Sequence, residues 1–152
     1  MDPVVAKIAE QFKVVHGQLR DEVRGLSIEE LNWKPAAETN SIAALVVHTL
    51  GSEAEVLRTA ANVPGTRDRD AEFLATADDP DALLRHLDEG DAYLDEMAAR
   101  ITAADLAAMR ERAGRGPETG LHWLVTNYGH AREHLAHIQL TKQLYAAGIG
   151  RG

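Results

Sequence analysis

The chain has 152 residues, enough for one domain with a real core, and 45% of them are apolar, as in a folded protein. Aromatics make up only 5%, which favours closely packed helices over a β-sandwich, and 16 basic against 24 acidic residues leave a net charge of −8, which repels a phosphate backbone. Cysteine is absent, so disulfides, thiolate nucleophiles and Cys-ligated zinc are excluded.

No stretch approaches the roughly 18 apolar residues that span a bilayer. The start, Met1-Asp2-Pro3-Val4-Val5, lacks the basic and apolar regions of a signal peptide. The expectation is a cytoplasmic protein with a single domain over residues 1–152, binding neither membrane nor nucleic acid.

Asp2 can cap a first helix, and Pro3 suits its first turn. Val4, Ile8, Phe12, Val15, Leu19 and Val23 then recur at helical steps, and Gly25 closes the segment. Ser27 and Glu30 have capping-box spacing, so one helical turn is expected there, ended by Pro35. A second long helix is expected from Asn40 or Ser41 to about Ala61. Its first half, Ile42 to Leu50, is apolar nearly all round, which means burial on most sides; His48 is the exception within it.

Asn62 to Ala77 reads as a long charged connection with a Pro64-Gly65 turn. Arg67 and Arg69 in it can reach over a pocket and hold an acidic substrate. The simpler reading, that the mixed charges of Arg67 to Asp70 solvate a loop, is preferred. A third helix opens at Asp78-Asp79-Pro80 and carries Leu83, Leu84, Leu87, Leu94, Met97 and Ile101. Thr102 to Pro117 is polar, with a short helix expected over Ala104–Met109. The fourth long helix runs from about Thr119 to Ala146 with Gly148 as its stop. No segment shows strand alternation. Four long helices in one small chain predict an all-α four-helix bundle with long crossover loops.

The seven histidines are the loudest chemical feature. On a wheel of about 100° per residue, the fourth helix places Trp123, Leu124, Asn127, His130, Ala131, His134, Leu135 and Ile138 on one side. His130 and His134 therefore face inward, one turn apart. That spacing lets two imidazoles reach one metal. His48, on a helix segment with almost no solvent face, completes a candidate three-histidine metal site. His137 lies at the edge of the same helix, where it is either a flank residue or a partner of a ligand. His16, His86 and His122 read as surface or boundary residues.

His130-Ala131-Arg132-Glu133-His134 also fits the HxxEH pattern of inverted zinc peptidases, but Glu133 lies towards the polar side and the peptidase context is missing. Glu53 falls in the apolar stripe of the second helix and needs a partner. It either orients a ligand histidine or pairs with an arginine or tyrosine.

Several of these stretches together resemble one family. Leu31-Asn32-Trp33-Lys34-Pro35, Asn40-Ser41-Ile42 with His48 six residues on, the loop Arg67-Asp68-Arg69-Asp70-Ala71-Glu72-Phe73, and His130-Ala131-Arg132-Glu133-His134-Leu135-Ala136-His137-Ile138 are similar to the DinB/YfiT-like superfamily. The resemblance implies a four-helix bundle holding a divalent metal ion on His48, His130 and His134. Zinc or nickel is the implied metal, with iron or manganese also compatible. Some relatives are transferases that use a low-molecular-weight thiol such as bacillithiol or mycothiol. One branch isomerises maleylpyruvate and carries Glu where this chain has His130. The usual glycine and glutamine after the last ligand are here Ala136 and His137, which points towards the transferase-like branch. The resulting expectation is a thiol S-transferase or a hydrolase acting on a small molecule, with a homodimer as a possible assembly. A non-catalytic stress-related protein that binds a metal or small ligand is the alternative.

Overall fold

The computed structural model describes residues 1–150. Its elements are α1 (Pro3–Val23), α2 (Ile28–Asn32), α3 (Ile42–Ala60), α4 (Arg69–Phe73), α5 (Ala82–Ala98), α6 (Ala103–Ala107), β1 (Met109–Arg112), β2 (Gly116–Thr119) and α7 (Gly120–Ala146). The four long helices pack in a closed ring, α1 against α5, α5 against α3, α3 against α7 and α7 against α1. This is the expected four-helix bundle. None of the helices is long and apolar enough to cross a membrane.

Local chemistry sets most of the boundaries. The Asp2 carboxylate accepts from the backbone N–H groups of Val4 and Val5 at the start of α1. Ser27 and Glu30 form a reciprocal capping box around α2, and Thr102 and Asp105 form another around α6. Ser41 caps α3 and Thr119 caps α7. The third long helix begins later than the sequence suggests. Asp79 holds the N–H of Asp81 in a turn, so Pro80 precedes α5 instead of opening it. In α1 the buried face is Val5, Ala9, Phe12, Val15, His16, Leu19 and Val23, so the stripe begins at Val5, and Val4 is exposed.

Two expectations fail outright. The segment after α6 is not strand-free: β1 and β2 form an antiparallel hairpin with Arg112 opposite Gly116. Each strand has only four residues and no apolar alternation, so the pleat left no periodic trace. The turn is made possible by Gly114 and Gly116, both at positive φ (76° and 75°). The hairpin sits on the bundle through the Trp123 indole N–H, which donates to the carbonyl of Arg110 at 2.8 Å.

His16 is the second failure. It is fully buried and not a boundary residue. Its Nδ1 lies 2.7 Å from Asp91 of α5, and its Nε2 lies 2.8 Å from Glu53 of α3. Asp91 is also held by Arg20. Both ring nitrogens face carboxylate oxygens, and only the imidazolium can donate to both. Burial pulls the His16 pKa down, but the bonds and charges of Glu53 and Asp91 more than reverse this and leave it raised. Burial raises the Glu53 carboxyl as well. His16 thus ties α1, α3 and α5 together through one proton-rich polar core.

Removing one member of such a buried pair strands the other. His16→Ala is expected to lower unfolding stability by about 3–5 kcal/mol, read by urea denaturation. The pH dependence has a definite sign. A histidine whose folded pKa is raised contributes most below its unfolded value of about 6.5 and loses that contribution as pH rises through the folded pKa. The stability difference between the parent and a His16→Gln/Glu53→Gln double variant should therefore fall between acidic and alkaline buffer. A difference that grows with pH would contradict the imidazolium.

Candidate metal centre

His48 projects from the second turn of α3 and is 3% exposed. Its Nδ1 lies 3.0 Å from the Glu72 carboxylate, which accepts the ring proton there and leaves Nε2 as a lone pair. The Phe73 ring stacks on the imidazole with centroids 4.3 Å apart. Both partners come from α4, so the long connection folds back over α3 and fixes the ring. Gly51, one turn after His48, makes this approach possible: a side-chain Cβ there would overlap the Glu72 carboxylate.

His130 and His134 project from α7 into the same space. The Nε2 atoms of His48 and His130 are 3.2 Å apart, and those of His130 and His134 are 3.0 Å apart. Ring centroids of His48 and His134 are 5.0 Å apart. All three ligand atoms lie within 4.8 Å of one another, and among the described residues this is the one cluster that can hold a metal ion. The spacing fits such an ion. Nitrogens bound at about 2.0–2.1 Å in a tetrahedral arrangement stand roughly 3.3 Å apart. With Nε2 of His48 a lone pair, a proton can bridge a pair of these atoms but cannot satisfy all three, whereas a cation can. The His134 Nδ1 lies 3.2 Å from Nδ1 of exposed His137, so His137 touches a candidate ligand from its outer side.

The electrostatics agree with neutral imidazoles. Burial, then His48 and the arginines Arg67, Arg115 and Arg112, hold His130 down at about 4. Burial and the other histidines hold His134 down at about 3. Burial also lowers His48, although Glu72 opposes it. Rings that resist protonation keep their lone pairs available for a metal ion.

Two members of the cluster, His48 and His130, line a pocket of about 270 Å³ together with Ser52, Arg67, Arg69, Arg112 and Arg115, and with Asn127 and Glu133 of α7, while His134 lines a separate one beside His137. Arg67 does not simply solvate its loop. Its guanidinium donates to Glu72 at 2.7 Å and 2.8 Å and to Glu55 at 2.8 Å, with only 11% of the side chain exposed. Arg112, the single buried residue of the hairpin strands, donates to the same Glu55 at 2.6 Å. Burial pushes the Glu55 carboxyl up, but Arg112 and Arg67 more than reverse this and hold it below its ordinary value. Asn127 donates to Ser52 at 2.8 Å and braces α7 against α3.

Glu53 takes neither role expected of it, because His16 claims its carboxylate. A separate, mainly apolar cavity of about 430 Å³ opens beside Glu53 and Glu72, between α3 and α5, and none of the three clustered histidines lines it. The carboxylate that orients His48 is Glu72, 24 residues away in sequence. No spacing rule links the two, and only the short α4 brings them together. No spacing rule ties Glu55 to Arg112 and Arg115 either, because only the hairpin delivers those arginines to the site. The signal that could have found it is the Ala113-Gly114-Arg115-Gly116 turn.

These contacts give a graded expectation for metal uptake, measured by competition with a chelating dye. His48→Ala and His134→Ala should abolish or nearly abolish binding, and His122→Ala should leave it unchanged. Glu72→Gln should weaken binding by about 10–100-fold through loss of ring orientation. Equal affinity in Glu72→Gln and the parent would show that the carboxylate has no such role.

Two solved structures share the fold. A conserved protein from Enterococcus faecalis superposes with a TM-score of 0.78 at 16% identity, covering 95% of this chain and 98% of that one. A DinB-like protein from Bacillus cereus ATCC 10987 superposes with a TM-score of 0.71 at 12% identity, covering 93% of this chain and 91% of that one. No curated protein is significantly similar in sequence. Residues 11–138 match the DinB superfamily, a span that contains α3, the loop over it and all three clustered histidines; the chain belongs to that superfamily.

Proposed function

We propose that this chain is a metal-dependent enzyme that presents a small nucleophile to a small-molecule substrate, with His48, His130 and His134 as the metal ligands. The carrying observation is that three Nε2 atoms converge while no fourth histidine or carboxylate joins them among the described residues, and the cluster faces a pocket. Three imidazoles beside an accessible cleft are the mark of a catalytic site, in contrast to a closed structural one. Zinc or nickel is the metal of choice for such a donor set, with iron or manganese compatible.

A divalent ion bound there lowers the pKa of a water or thiol in its remaining position and so supplies a nucleophile near neutral pH. The protein's own groups do the rest. Glu72 keeps His48 in the tautomer that offers Nε2. Phe73 and Asn127 fix the walls. Arg67 and Arg69 line the same pocket as Glu133. The chain has no cysteine, so any thiol in the reaction enters as a substrate. We favour transfer of a low-molecular-weight thiol, bacillithiol or mycothiol in type, because the arginine-lined pocket suits the polar groups such a cofactor carries.

A hydrolase is the second reading, favoured by one observation: Glu133 lines the pocket as an exposed carboxylate with no bonded partner among the described residues, in reach of the role of general base. Glu53, tied to His16, is not available for it.

The deciding experiment mixes metal-loaded protein with chlorodinitrobenzene and either thiol. Metal-dependent conjugation that falls to background in His48→Ala is expected. Absence of conjugation, together with ester or amide hydrolysis that drops about 10²–10⁴-fold in Glu133→Gln, makes the protein a hydrolase. One bound metal per chain with neither reaction makes it a binding protein.

A further inference from the structure

The mouth of the pocket carries charge that the fold does not use. Four guanidinium groups, Arg67, Arg69, Arg112 and Arg115, converge there in a protein whose overall charge is −8. The inner two are matched: Arg67 by Glu72 and Glu55, Arg112 by Glu55. The outer two are not. Arg69 and Arg115 are exposed and form no ion pair among the described residues. Arg69 is held in place by lying over the Phe73 ring, 4.8 Å from its centroid. Arg115 sits in the hairpin turn, its N–H bonded to the Arg112 carbonyl at 3.0 Å.

Three buried atoms of the same lining lack partners, Arg112 Nε, Asn127 Oδ1 and His130 Nδ1. Of these, Arg112 Nε is the cationic donor, on a residue more than nine-tenths buried, that an anion can satisfy. Buried polar atoms are nearly always satisfied, so an unmatched guanidinium N–H in a pocket wall calls for an acceptor. The imidazoles add no negative charge to balance a divalent ion. Glu133 is the one unmatched carboxylate in that lining, against two unmatched guanidinium groups, so an excess of positive charge remains in a small cleft of an otherwise acidic surface, and such a cleft draws in and orients anions.

We propose that the centre acts on a small anionic molecule whose carboxylate or phosphate group is seated by Arg69 and Arg115 while its remainder points at His48 and His130, the two clustered histidines that line this pocket. This rests on the metal-centre reading above and adds the substrate class. The β1–β2 hairpin becomes the specificity element, since it supplies Arg112 and Arg115 to a site otherwise built from helices and one loop. A pocket of about 270 Å³ limits the enclosed part of the substrate to a small one.

The test uses the full chain, metal-free and zinc-loaded, titrated separately with succinate and with inorganic phosphate, following the arginine Nε–H signals by NMR. Saturable binding that moves the Arg69 and Arg115 signals is expected, and the probe that binds tighter identifies the anionic group. An Arg69→Gln/Arg115→Gln double variant should bind at least about tenfold more weakly while taking up zinc like the parent. Both positions are exposed, so the variant should fold, which circular dichroism checks. Arg100→Gln, at an arginine that pairs with Glu96 and does not line the pocket, should change nothing. Zinc uptake with no probe binding, or with binding equally tight in the double variant, overturns this proposal and leaves the metal centre standing. Probe binding at the arginines without zinc uptake does the reverse.

Discussion

A helix buried on nearly every side can carry a polar side chain only if a partner comes to meet it, and α3 carries four. Thr49 turns back to the Leu45 carbonyl at 2.7 Å. Ser52 is met by Asn127 from α7, Glu53 by His16 from α1, and His48 by Glu72 from α4. An unmet polar group in such a place costs on the order of 1–3 kcal/mol, and an unmet charge more. Each partner therefore specifies which element must lie against which face of α3. The bundle is organised around apolar burial, but its register is set by these few polar meetings.

That distinction explains what could be read from the sequence. The four long helices and the inward face of α7 follow from the 3.6-residue period, because apolar burial leaves a periodic trace. His130, His134 and His48 were legible for the same reason: polar residues inside an apolar stripe stand out. Partners reached across space leave no period. His16 lies at a position whose neighbours Val15 and Leu19 carry the stripe, and nothing local reveals the carboxylates on α3 and α5. The hairpin left no periodic trace either, only its glycine turn at Gly114 and Gly116, since four-residue strands that bury only Arg112 need no alternation.

The overall charge is a second place where a whole-chain number hides local structure. An excess of acidic residues argues against a nucleic-acid partner, and that inference concerns the surface as a whole. It says nothing of how the minority charge is arranged. Here four of the 16 basic residues meet at one cleft, two from the loop after α3 and two from the hairpin. Distances of about 50 residues separate them in sequence, so only the fold brings them together. Loops on a rigid scaffold are the usual carriers of function, and in this chain both crossovers near α3 deliver their arginines to the same end.

The two buried carboxylates of α3 and α4 show how stability and chemistry are kept apart. Glu53 and Glu72 both line the apolar cavity between α3 and α5, yet they serve different histidines. Glu53 stabilises the imidazolium form of His16, which locks three helices and sits away from the clustered histidines. Glu72 accepts a proton from neutral His48 and shares its charge with Arg67, so it fixes a ring without charging it. The difference lies in what faces each ring. His16 has carboxylates on both nitrogens, which favours the charged form. His48 is buried with a single carboxylate on Nδ1 and the Arg67 guanidinium 3.3 Å from the same nitrogen, so burial and then the arginines favour the neutral form. One residue type is thereby held in two protonation states a few turns apart. Because the two networks share no hydrogen bond, changes to His16 should act on folding and changes to Glu72 on the metal centre, with little coupling between them.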